Sequence, residues 1–273
     1  MNREELSLLK KWFADYCASF TTSVREDQEN IAVKQHHTEE VCKNTLVIGR
    51  SLGLNEENQL IAEAIGLLHD VGRFPQYQRH KTFDDSISVN HATLGAQVIL
   101  EKNVLRTLPK DQRDLIVHAV TLHNVYSLPG KLDDRTILFV KQIRDADKLD
   151  IWRVFVDYFN LDHGSRATAV GLGLPDLPDY SPGILACLAR GELANKSDLR
   201  TLNDFKLLQL TWLYDLNFVS SLQVVLERGY IDKLARVLPD VREINDAVDF
   251  ARTYVNNRLT RAQNTLIRGE NQN

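Results

Sequence analysis

The chain is short of turn-forming residues. Thirteen glycines and seven prolines make 20 of 273 residues, about 7%, where average usage is roughly 12%. A β-sandwich or a glycine-dependent α/β fold needs more of them, whereas helices joined by short loops do not. Cysteine is also scarce. Cys17, Cys42 and Cys187 are odd in number and show no CxxC spacing, which excludes a disulfide framework. No apolar run approaches the ~18 residues of a membrane span. The N-terminal MNREELSLLKKWF is charged and amphipathic and lacks the apolar segment of a signal peptide. There is no excess of basic charge either: the net charge of −4 argues against broad nucleic-acid binding. A hydrophobic content of 43% excludes disorder. These absences lead us to expect a soluble, cytoplasmic, all-α protein with no membrane partner.

Helical spacing runs through most of the chain. Leu6, Leu9, Phe13 and Cys17 step by three or four, and the polar SVREDQEN follows. The period returns at Val33, His37, Val41, Thr45 and Ile48, and residues 60–68 are apolar on nearly every side. Residues 73–90 lose the period and read as a long loop, the kind that carries function more often than not. Helices are expected again at 91–102, 111–124 and 134–159. The stretch 161–183 gathers seven of the twenty Gly and Pro residues and reads as a junction. The expected organisation is therefore a core over 1–160 and a C-terminal helical extension over 161–273, packed on the core. Within the extension we expect a long helix near 201–228, a short one near 231–237 and a last one near 240–259, with fraying after about Thr260. Trp212, Tyr214 and Phe218 are expected in the extension's core. The GLG at 171–173 precedes Leu-Pro instead of xxG, so it is not read as a nucleotide-binding loop.

What the chain has in local excess is histidine: seven of eight lie between His36 and His123. Helical spacing sorts them. His37, His69, His91 and His123 fall on apolar faces, as do Asp70 and Asp147. His36 and His80 fall outside, His118 is ambiguous and His163 lies in the junction. Each inward residue taken singly is satisfied as a core histidine, a cap or an ion-pair partner. Six together leave buried carboxylates with no evident buried Lys or Arg, and an uncompensated buried carboxylate costs several kcal/mol. A divalent cation bound through imidazole and carboxylate resolves that charge.

His37-Thr38, the block AIGLLHDVGRF with His69-Asp70, and DADKLD with Asp147 resemble the H…HD…D signature of the HD-domain superfamily, over roughly residues 30–155. The resemblance implies an all-α, phosphodiesterase-like helical bundle and a metal-dependent phosphohydrolase. It makes His37, His69, Asp70 and Asp147 the primary metal ligands. His91 and His123 match positions that supply a second metal in the dinuclear branches. Asn124 stands where the HD-GYP proteins carry a second adjacent His, no GYP follows, and the acidic pair of the alarmone hydrolases is missing. Those two substrate classes are therefore disfavoured.

The expected reaction is hydrolysis of a phosphate ester, with a nucleotide or related small molecule as the substrate class. One or two divalent ions (Mn, Fe, Co, Ni, Zn or Mg) would activate water, and Asp70 would bridge if there are two. Arg73, one turn after the doublet, is the candidate phosphate clamp. Arg79, Lys81 and Lys148 are candidate substrate contacts, and His80 could add positive charge. Phe74, Tyr77 and Phe83 are expected to anchor their segment more than to hold a base. The same six ligands also suit a di-iron oxygenase, and a non-catalytic scaffold is the third reading.

Overall fold

A computed structural model describes residues 1–162 and 166–270, with side chains to residue 265. His163 therefore lies outside the described residues. The protein is all-α, and among the described residues there is no strand. Nor is any helix there long and apolar enough to cross a membrane. The chain forms two compact units, residues 1–154 with 161–172, and residues 155–160 with 173–273.

In the first unit, α1 (Arg3–Ala18) starts at a capping box in which Asn2 and Glu5 satisfy each other's backbone. Its apolar stripe buries Leu6, Leu9, Phe13 and Cys17. The long α2 (Arg25–Ser51) follows, then α3 (Glu56–Leu68), capped by the Asn55 side chain. The two helices approach closely because Gly66 has no side chain: a methyl there would lie 3.3 Å from the Cys42 Cα. That approach brings His69 up to His37.

Next come α4 (Arg73–His80), α5 (His91–Glu101), α6 (Lys110–Leu122) and α7 (Asp134–Asn160). A methyl at Gly72 would lie 2.1 Å from the His91 carbonyl oxygen, so only glycine lets the start of α4 meet the start of α5. α7 is tied to α2 by Gln142 donating to the Thr45 carbonyl at 2.8 Å and by Asn44 donating to the Ala146 carbonyl at 3.1 Å.

The expected loop at 73–90 is corrected. Its first eight residues are helix α4, and only residues 81–90 are irregular, with a 3-10 turn at Asp85–Ile87. Phe74 and Tyr77, three apart, bury one face of this two-turn helix, and Pro75 falls in its first turn, where its missing N–H costs nothing. Phe74 packs among Phe13, Tyr16 and Phe20, and Tyr77 against Phe83 at 5.1 Å.

The second unit contains α8 (Pro182–Arg190), α9 (Leu202–Thr211), α10 (Val219–Glu227), α11 (Tyr230–Ala235) and α12 (Arg242–Glu270). Three expectations change here. The helix near 201–228 is two helices, separated by a 3-10 turn at Trp212–Asp215 and an extended Leu216. α12 continues to Glu270 instead of fraying after Thr260. Trp212, Tyr214 and Phe218 are only partly buried, and Leu213 and Leu216 fill the interior in their place. α8 also starts within the expected junction, with Pro182 in its first turn and Gly191 at φ 74° closing it.

Candidate metal centre

Five helices converge on six side chains. His37 projects from the middle of α2, His69 caps the C-terminus of α3 with Asp70 next to it, and His91 opens α5. His123 caps the end of α6 and Asp147 comes from α7. His37, His69, Asp70, His91 and His123 are buried, and the Asp147 side chain is 18% exposed.

Every imidazole uses Nδ1 for a protein partner. His69 Nδ1 is 2.7 Å from the Gly66 carbonyl oxygen, and His123 Nδ1 is 2.7 Å from that of Val120. A carbonyl can only accept, so these nitrogens carry the proton. His37 Nδ1 lies 2.7 Å from Asp150 Oδ2, and His91 Nδ1 lies 2.7 Å from Asp85 Oδ2. Both carboxyls are held below the usual carboxylate range. Burial would raise them, but their histidine and arginine partners outweigh it. Each Nε2 is therefore directed inward, where it can act as a ligand.

The Nε2 atoms meet in two groups, one on each oxygen of Asp70. On the Oδ2 side, His37 and His69 Nε2 are each 3.6 Å from Oδ2 and 3.3 Å from one another. Asp147 Oδ1 is 3.0 Å from His37 Nε2 and 3.7 Å from His69 Nε2. On the Oδ1 side, His91 Nε2 is 3.3 Å and His123 Nε2 3.9 Å from Oδ1, and the two nitrogens are 3.0 Å apart. Donors placed about 2.1 Å from one small cation are about 3.0–3.4 Å apart. The donor chemistry and spacing on both sides fit a divalent ion, and His37, His69 and Asp70, like Asp70, His91 and His123, form a buried group able to hold one.

Electrostatics distinguish the sides. Burial and Lys34 push the His37 imidazole down, but Asp147 and Asp150 prevail and raise it to about 9. Burial with Arg73 lowers His91 to about 4, and burial with the neighbouring His91 and His69 lowers His123 to about 3. Asp70 and Asp147 are held well below the carboxylate range. Burial opposes this; Lys34, His69 and Arg73 overcome it at Asp70, and His37 and His69 do so at Asp147.

Residues 35–152 match the family model described as HD domain. The matched stretch holds all six of these side chains. The match covers a little under half of the chain, and no curated protein and no solved structure matches it.

The other expected site residues are placed unevenly around this centre. Arg73 is adjacent, its Nε 3.5 Å from Asp70 Oδ1, but its Nη1 already donates to Gln76 Oε1, the Phe83 carbonyl and Asp85 Oδ1. Lys148 Nζ donates to the Arg144 carbonyl at 3.4 Å. Arg79 and Lys81 stand exposed at the end of α4, Lys81 paired with Asp27 at 2.5 Å. His36, His80 and His118 are exposed. Three residues absent from the sequence reading join the centre. Asp85 and Asp150 orient His91 and His37, and Lys34 Nζ sits 2.8 Å from Asp70 Oδ2. Asp150 could have been found as the residue one turn after Asp147 on the same face, and Lys34 as the one a turn before His37.

Proposed function

We propose that the protein is a metal-dependent hydrolase of a phosphate ester, with His37, His69, Asp70 and Asp147 holding one divalent ion and Asp70, His91 and His123 a second. The observation that carries this reading is the division of donors about Asp70, one oxygen facing each pair of Nε2 atoms. Ions bound there supply the charge that polarises a phosphoryl oxygen and lowers the pKa of water toward neutrality. The chain's own residues do the rest. Asp150 and Asp85 fix the tautomer and rotation of His37 and His91, and carbonyls do the same for His69 and His123. The Oδ1 side offers three donors, which leaves positions for substrate or water. The burial of these donors keeps the charges in a weakly screened environment. A nucleotide or related small molecule is the proposed substrate class.

The test is a panel of phosphomonoesters and phosphodiesters with Mn, Co, Ni, Zn, Mg and Fe(II). Turnover is expected with at least one metal and is abolished by His69→Ala. Turnover that survives His69→Ala at the wild-type rate sinks the reading. The set of four histidines and two aspartates also supports a second reading, a di-iron oxygenase. That reading requires about two irons per chain in anaerobic preparations and oxygen consumption with an organic substrate. An iron-free anaerobic preparation removes it.

A further inference from the structure

Two cations flank this centre, Arg73 beside Asp70 Oδ1 and Lys34 beside Asp70 Oδ2. The Arg73 Nη1 is bonded to three acceptors, and its partner Asp85 also accepts from His91, Gln76 and Asn124. That nitrogen is thereby committed to the support of His91, although the buried Arg73 Nε makes no hydrogen bond. Lys34 is different. Its ammonium makes one hydrogen bond to the protein, at 2.8 Å to Asp70 Oδ2, and the side chain is 15% exposed. The Phe83 ring centroid lies 5.3 Å away and walls one flank of the ammonium. Phe83 is itself held by its contact with Tyr77 and is buried.

Asp70 Oδ2 is also the oxygen that the His37 and His69 Nε2 atoms face. A divalent ion held there would draw on the same oxygen that Lys34 now contacts. From these contacts we infer that Lys34 forms, with Phe83, an oxyanion subsite on the Oδ2 side of the centre. Without a metal, Lys34 neutralises Asp70. With one, its donors are released to a phosphoryl, phosphonyl or carboxylate oxygen of the ligand. An ammonium suits this exchange because it is a compact charge with three donors on a flexible stem, unlike the fixed fork of Arg73. The inference deepens the proposed function by assigning the residue that recognises substrate charge, and it rests on the metal sites of that reading.

The experiment titrates inorganic phosphate into the full-length, Mn(II)-loaded protein and into K34Q and K34R. Manganese content and thermal melting are measured on the same samples. One lost charge-assisted contact predicts about ten- to hundredfold weaker phosphate binding in K34Q. K34R keeps the charge but not the compact three-donor head, so its affinity should fall between those of the wild type and K34Q. Manganese should bind K34Q as tightly as the wild type or more tightly, because a competing cation has gone. With an esterase substrate, K34Q should raise KM far more than it lowers kcat. Wild-type phosphate affinity in K34Q overturns the inference, and so does loss of manganese or of the folded state in K34Q. If no ester is turned over by the wild type but phosphate binding still depends on Lys34, the hydrolase reading fails and the subsite stands.

Discussion

The Oδ2 side of Asp70 holds His37, His69 and Asp147, whereas the Oδ1 side holds His91 and His123 alone. The supporting layers differ as well. Behind His37 stands Asp150, itself gripped by Arg153 through Nε at 2.6 Å and Nη2 at 3.0 Å. Behind His91 stands Asp85, which ties together Arg73, Gln76 and Asn124. One side therefore concentrates carboxylates and protons, and the other is nearly neutral before any cation arrives. A site with four donors and two ionised ligands is built to retain an ion. One with three donors and a single shared carboxylate is built to leave a position open. On the proposed metal reading, the difference predicts tighter retention of an ion on the Oδ2 side and more open positions on the Oδ1 side.

The most damaging change is the one that removes the shared residue. Asp70→Ala should strip metal from both sides and reduce turnover on the order of a thousandfold or more, read by elemental analysis beside the assay. Single ligand losses should then separate the sides. His91→Ala is expected to keep about one ion per chain, bound on the Oδ2 side, while His37→Ala retains far less. Equal metal content in these two variants would erase the proposed asymmetry.

Backbone approach offers an independent break. Gly72→Ala forces a methyl against the His91 carbonyl, a contact of 2.1 Å that backbone must yield to relieve. The expected cost is about 3 kcal/mol, with the Oδ1 side losing its ion first. Gly66→Ala meets its neighbours at 3.3 Å, so about 1 kcal/mol is expected, and there the Oδ2 side is affected. Thermal melting with and without metal distinguishes them. A Gly66→Ala protein less stable than Gly72→Ala would show that the α2–α3 approach is the tighter constraint.

Below these come the orienting carboxylates. Asp85→Asn and Asp150→Asn should each weaken metal binding about ten- to hundredfold. Asp85→Asn should be the worse for turnover, because it also loosens Arg73 and Gln76. Isothermal titration of each variant reads the affinities. An Asp150→Asn effect confined to the Oδ1 side would contradict the contacts described.

The ligand candidates were legible because helical period alone puts His37, His69, His91, His123, Asp70 and Asp147 on inward faces, and all six meet in the structure. Their orienting partners were much less so. Asp85 sits in an aperiodic stretch, and a 3-10 turn capped by Asp84 carries it to His91. No periodicity encodes that reach. α4 was hidden because two turns are too few to show a period. The break between α9 and α10 has neither Gly nor Pro to mark it, since residues 202–227 contain none. It is set by the packing of Leu213 and Leu216, which no local propensity reports. Lys34 was within one turn of a ligand, but its role depends on where the end of α3 places Asp70.

The finest test of the asymmetry is the proton. With His37 raised to about 9, the metal-free Oδ2 side carries an imidazolium at neutral pH that an incoming ion must deprotonate. Protons compete below that value, so affinity there should rise about tenfold per pH unit between pH 6 and 8 and level off above about 9. On the other side His91 and His123 lie near 4 and 3, so both are already neutral above about pH 5 and no such gain is expected. The two single-ligand variants isolate the sides. His91→Ala should show the slope, with close to one proton released per ion in buffers of differing ionisation enthalpy, and His37→Ala should show a flat profile. If both profiles rise in parallel, the carboxylates of Asp147 and Asp150 do not hold a proton on His37, and the contrast between the two oxygens of Asp70 reduces to a difference in donor number.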